Sequence, residues 1–312
     1  MDVVLRLSDG RRLMAADVGD PRGVPVLYVA GYGHCRLARH PDDGLTAAAG
    51  VRLLAVDPPG LGGSDPRPGY SLLTWARDGI ELAGQLGIGR FAVLGWSWGG
   101  PYALALAHEY PDRVTSVGLV SALGGWLAGP GHVSQARKEY RNFASLCRWA
   151  LPLVKMFLAR QRRAVLGDSQ AAQARDLATA PPADQAAAAR PGDAAMLASS
   201  RAEAWRQGIA GMYDHSRAVT LPWGFTPAEV RVPASIWHGT ADLEIFSGMA
   251  EYLAQAMPNA SLTILPGEGH LLLFTHWADI LRQLAAQADR GPGTPIARPR
   301  STHGNPGNRA GN

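Results

Sequence analysis

Residues 91–107 read FAVLGWSWGGPYALALA: an apolar run that suits a strand, a serine with glycine two places to either side, then a segment with helical period. Gly-x-Ser-x-Gly alone admits two readings, a Gly-rich turn that happens to hold a serine or a sharp strand-to-helix bend that displays a nucleophile. The flanking strand and helix favour the bend. A serine there has a strained backbone, and side chains beside it would collide with neighbouring main chain, which Gly95 and Gly99 avoid. Gly100 lets the helix pack closely, and Pro101 falls in the first turn, where its missing N–H is no loss. Ser97 then stands at a helix N-terminus, whose peptide dipoles favour negative charge developing on an oxygen.

Working outward, VVLRL (3–7) and the run from Arg11 flank SDG, which predicts an opening β-hairpin. Apolar runs at 25–30, 51–57, 90–95, 114–122, 232–239 and 260–266 lack strict alternation, as strands buried on both faces do. Helical segments such as those from Leu72 and Pro101 lie between them. The expected fold is therefore α/β, a doubly wound, mostly parallel sheet with helices on both faces. Between Leu123 and Thr226 no strand is convincing, so residues 1–122 and 227–289 are expected to form the core and 123–226 a helical insertion. From Arg290 the chain is Gly, Pro, Asn and Arg with little that is apolar, and 290–312 is expected to be disordered.

A serine hydroxyl needs a base, and the base needs an orienting carboxylate. WHGTAD places Asp242 in the loop after one strand, with Glu244 as a rival; LPGEGH places His270 after the last strand. Both loops leave the carboxyl edge of the sheet, the edge that carries Ser97. Of the other histidines, His238 reads as a strand-end structural residue and His276 as a surface or pocket residue; His34 and His108 are further rivals.

GWSWGG, DPPGLGGSDP (57–66), HGTAD and GEGH occur in an order that resembles the α/β-hydrolase superfamily, in particular its serine enzymes with a helical cap. The resemblance covers all but the tail and implies a catalytic Ser97, Asp242 and His270. Relatives with an aspartate nucleophile, the dehalogenases and epoxide hydrolases, are disfavoured because Ser97 holds that place. It also implies an oxyanion hole, for which backbone N–H groups of Tyr32 and Trp98 are the candidates. The loop VAGYGHC departs from the pattern: Ala30 stands where a histidine is common, while Gly31 remains.

Phe143, Leu146, Trp149, Leu153 and Phe157 recur at helical spacing. Either this stripe packs the insertion on itself and the sheet, or it walls a pocket in which Trp149, Leu153 and Phe157 would touch substrate. The expectation is a serine hydrolase cleaving an ester-like bond of a small, largely apolar molecule through an acyl-enzyme. A prolyl-aminopeptidase-like or carbon–carbon bond hydrolase stays open, Trp98 being reminiscent of prolyl aminopeptidases, with Glu203 and Asp214 as acids for a substrate ammonium. So does a non-hydrolytic binding or biosynthetic protein, since fold does not fix chemistry.

The formal net charge of +4 equals the charge of Arg290, Arg298, Arg300 and Arg309 in the tail, so the body reads as near neutral and no nucleic-acid partner is expected. No ligand spacing suggests a metal and no Gly-rich loop binds phosphate: GLGG (60–63) has no Lys-Ser/Thr after it. No cofactor is expected. Cys35 and Cys147, the only cysteines, make no disulfide framework, and Cys35 reads as an inert thiol rather than a second nucleophile. Asp2 and Arg6 interrupt any export signal, and the run from Trp149 is too short to span a bilayer, so a cytoplasmic enzyme without membrane contact is expected.

Overall fold

Strands form almost where the apolar runs put them. The computed structural model describes residues 1–124, 145–147 and 151–288. Its strands are β1 (Asp2–Arg6), β2 (Arg12–Gly19), β3 (Val24–Val29), β4 (Val51–Val56), β5 (Phe91–Trp96), β6 (Val114–Val120), β7 (Ala234–Gly239) and β8 (Ala260–Leu265). They make one eight-stranded sheet in the order β1-β2-β4-β3-β5-β6-β7-β8. β2 runs antiparallel to both β1 and β4, and every later pairing is parallel. The opening hairpin closes as its sequence predicts, with Gly10 at φ 87° and the Leu7 N–H donating to the Arg11 carbonyl at 2.8 Å.

The helices are α1 (Asp43–Ala48), α2 (Leu72–Gln85), α3 (Gly100–Glu109), α4 (Leu151–Gly167), α5 (Ser169–Ala178), α6 (Pro182–Ala188), α7 (Asp193–Trp205), α8 (Ala210–Thr220), α9 (Ser247–Ala256), α10 (Leu272–Thr275) and α11 (Trp277–Ala288). Side chains alternate across the sheet with the period of two that a strand imposes. On β4, Leu54 and Val56 pack into a core with Trp75 of α2, Tyr102 of α3 and Leu253 of α9. Leu53 and Ala55 face the opposite core, with Trp277 and Leu281 of α11. Both faces are thus covered, which explains why the middle strands read as continuous apolar runs.

No strand occurs between β6 and β7 among the described residues; helices α4–α8 fill the interval. Four attachments bind this insertion to the turn after β4. Arg36, nearly buried, reaches Asp57 at 2.8 Å and Glu203 of α7 at 3.0 Å. The Arg206 guanidinium donates to the Gly62 carbonyl at 2.7 Å, and the Gln207 amide donates to the Ser64 carbonyl at 2.7 Å. A Cβ on Gly211 would lie 2.1 Å from the Gly60 carbonyl oxygen, so the two backbones touch there. Gly60 serves this contact, whereas Gly62 makes room for the Asp57 carboxylate and Gly63 for the Met14 side chain. No helix among the described residues is long and apolar enough to cross a membrane.

Candidate active site

β5 ends at Trp96, and Ser97 turns the chain with φ 56°, a left-handed value that non-glycine residues seldom adopt. The glycines around it are sterically required. A Cβ on Gly95 would fall 2.6 Å from the Gly99 carbonyl oxygen, one on Gly99 would fall 2.0 Å from that of Val29, and one on Gly100 would fall 2.7 Å from Ala122 Cβ. Since the obstacles at the first two are backbone, neither can yield cheaply. Gly99→Ala should destabilise the fold by about 3 kcal/mol or more; an unchanged chemical-denaturation midpoint would contradict this reading of the bend. A single 3₁₀ turn (97–99) precedes α3, whose first turn holds Pro101.

The loops after β7 and β8 meet because Gly239 is small: a Cβ there would lie 2.1 Å from the Glu268 carbonyl oxygen, which also accepts the Ala241 N–H at 2.9 Å. Asp242 and His270 are thereby brought together, Nδ1 standing 2.9 Å from Oδ2. Asp242 Oδ1 accepts the backbone N–H groups of Glu244 and Ile245 at 2.8 and 3.0 Å, which fixes the carboxylate. The carboxylate at Nδ1 is therefore that of Asp242; Glu244 lines the neighbouring cavity. An ionised carboxylate only accepts, so Nδ1 carries a proton and, in the neutral ring, Nε2 keeps its lone pair. Burial opposes charge on His270, but Asp242 outweighs it and the pKa is raised to about 9.

Ser97 and His270 both line a cavity of about 570 Å³. The indole N–H of Trp96, the residue before Ser97, donates to the His270 carbonyl at 3.0 Å and ties the two loops. Tyr32 and Trp98 also line the cavity, their rings 4.7 Å apart. Tyr32 holds its position by donating from its hydroxyl to Gln161 Oε1 of α4 at 2.7 Å. Gly31 is again obligatory, since a Cβ would lie 2.9 Å from Ser97 Cβ. His34 lines the cavity as a neutral ring, its pKa pushed down to about 3 by burial, with Arg201 and His270 adding to the fall.

Other expectations are redistributed. Phe157 lines the cavity, whereas Leu153 is 50% exposed and lies outside it. The inward stripe of α4 is Val154, Leu158 and Val165, one residue later than the spacing of the larger side chains implied. Trp149 and Phe143 lie outside the described residues. Glu203 pairs with Arg36 and Arg206, and Asp214 accepts the Gly69 N–H at 3.1 Å; neither lines the cavity. His238 is fully buried and donates to the Ile245 carbonyl, and His276 pairs with Glu268 at 3.0 Å. Cys35 is fully buried, its Sγ 3.3 Å from the Ser200 carbonyl oxygen, and burial drives its thiol pKa far up. Polar residues of the insertion that the sequence did not single out, Gln161, Gln173, Asp184 and Arg201, face the same space. Their signal was absent because each sits in an Ala- and Arg-rich helical stretch with no motif.

Comparison with known proteins places this geometry. Residues 24–276 match the family model described as the alpha/beta hydrolase fold. A proline iminopeptidase of Xylella fastidiosa is 28% identical over 295 residues, covering 86% of this chain and 90% of that protein. A poly(3-hydroxyalkanoate) depolymerase of Ectopseudomonas oleovorans is 35% identical over 82 residues, but the match spans only 29% of its length and 26% of this chain. The enol-lactonase of Burkholderia xenovorans LB400 superposes with a TM-score of 0.67 at 19% identity, over 92% of this chain and all of that one, a likeness of fold. Eight strands in this order, a serine on a positive-φ bend and a family match across most of the sequence lead to one conclusion: the chain belongs to the α/β-hydrolase family of enzymes.

Proposed function

We propose that the chain is a serine hydrolase that cleaves an ester-like bond of a small, largely apolar molecule through an acyl-enzyme. The observation that carries this is the 2.9 Å Asp242–His270 pair opening, with Ser97, onto one cavity. His270 Nε2 takes the Ser97 proton as Oγ attacks the carbonyl, Asp242 stabilises the imidazolium, and the N–H groups of Tyr32 and Trp98 receive the oxyanion. His270 then returns the proton to the leaving alcohol, and water releases the acyl group by the same steps. Ala30 has no direct part, because the donors are backbone groups.

The walls support an apolar acyl or alcohol portion: Trp96, Trp98, Phe157, Leu197 and Trp205 line the cavity onto which Ser97 opens. A cavity of about 570 Å³ lies within the range of small-molecule sites. Helices α4–α7 act as the cap over it, each contributing side chains to its lining.

The second reading, an N-terminal prolyl peptide as substrate, has the Xylella relative in its favour. It needs carboxylates open to a substrate ammonium. Asp176 at the cavity is ion-paired with Arg201, and Glu203 and Asp214 are engaged elsewhere, while Glu244 and the buried Asp184 also line the cavity. Esters are preferred on the apolar walls. Steady-state assays with acyl-nitrophenyl esters and prolyl amides separate the two. The ester should win in kcat/KM by roughly 100-fold, and a preference for the amide would reverse the assignment.

A further inference from the structure

The insertion reaches the loop of His270 through a buried carboxylate. Asp184 lies in the first turn of α6 and is 3% exposed. Its Oδ1 accepts the Leu271 N–H, the amide directly after His270, at 2.7 Å. Gly269, directly before His270, makes room for it: a Cβ there would lie 2.3 Å from the same Oδ1. Arg190, just beyond α6, adds a second tie by donating to the Phe274 carbonyl at 3.1 Å. One short helix of the insertion thus grips the peptides on the C-terminal side of the candidate base.

We propose that Asp184 is a positioning residue: by holding the peptide that follows His270 it sets where the imidazole stands, and so makes the base depend on the docked insertion. This rests on His270 being the base of the reaction proposed above. Asp184 also adds charge to the surroundings of the ring. Burial opposes the protonated imidazole, whereas Asp242, Glu244 and Asp184 favour it; the nearby His34 and His238 have their own pKa values lowered, by burial first and by His270 in addition. Of those three carboxylates, only Asp184 comes from the insertion. Burial raises its own pKa, which the amides of Leu271 and His270 pull back.

Two variants separate hold from charge. Asp184→Ala removes both, leaving the Leu271 amide without its acceptor. Asp184→Asn keeps an oxygen for that amide and loses only the charge. Each is measured for kcat and KM on an ester, for thermal midpoint, and for the His270 ring titration by NMR, which needs no substrate. Asp184→Ala should lower kcat about 10- to 100-fold with KM changed less than about threefold, because misplacing a reacting group costs rate more than binding. Asp184→Asn should recover most of that loss. In both variants the His270 midpoint should fall.

A lower thermal midpoint with kcat and the His270 titration unmoved would overturn the proposal and leave Asp184 a purely structural residue. Where the alanine variant does not fold, Asp184→Glu decides: it keeps the charge but displaces the oxygen that holds the Leu271 amide, so a kcat lowered with KM little changed supports the proposal and a native kcat overturns it. Should native protein turn over no ester while the midpoint still falls, the hydrolase reading fails and the role of Asp184 stands.

Discussion

Ser97→Ala should lower kcat on an activated ester by about 10⁶-fold, the size of effect seen when a nucleophile is removed from a serine–histidine–carboxylate set. KM should change little, since the cavity walls are untouched. The protein should remain folded, because the bend is permitted by Gly95, Gly99 and Gly100 and not by the hydroxyl. Alanine must still accept φ near 56°, but it carries the same Cβ as serine and adds no new obstacle. Steady-state kinetics with calorimetry on one preparation checks both statements. Residual activity within tenfold of native would place the nucleophile elsewhere, and Cys35 is no substitute, being buried with its thiol held protonated.

Asp242→Asn should cost about 10⁴-fold in kcat, because an amide can present N–H to Nδ1 and turn the imidazole to the tautomer that cannot accept from serine. The same variant shifts the pH profile. General-base action needs neutral His270, whose pKa is raised to about 9, burial opposing the rise and Asp242 producing it. In the native enzyme kcat/KM should therefore climb about tenfold per pH unit and level off near pH 9. In Asp242→Asn the bend in the profile should move down toward the ordinary imidazole value. A native profile already flat from pH 6 upward would contradict this electrostatic assignment.

The same shift bears on stability, with the sign set by linkage. The folded-state pKa of His270 lies above its unfolded value of about 6.5, so the folded protein holds the proton more tightly. The contribution is fully present below about pH 6.5 and is lost as pH rises through about 9. Catalysis and this part of the stability therefore run in opposite directions with pH. The enzyme is expected to be most active where the His270–Asp242 ion pair no longer stabilises it.

The frame was legible in the sequence for local reasons. The SDG turn, the apolar runs of β3 to β8 and the glycines at 95, 99 and 100 each report a constraint acting within a few residues. Asp242 and His270 were legible because both follow strands of a sheet whose parallel order sends those strand ends to one edge. The insertion was different. Its segment at 169–205 is rich in alanine, which favours a helix but marks no inward face, so neither Asp184 nor Arg201 stood out. On α4 the largest apolar residues misled: Leu153 is half exposed, and the smaller Val154 is buried. The role of Gly60 was not legible, because it depends on Gly211, a partner far along the chain.

The most direct test is intact-mass analysis with peptide mapping after treatment with a fluorophosphonate. A single adduct on Ser97 is predicted, formed rapidly by native protein, slowly by His270→Ala and not at all by Ser97→Ala. An adduct elsewhere, or labelling of Ser97→Ala at the native rate, would contradict the claim that the bend, the imidazole and the carboxylate form one nucleophilic unit.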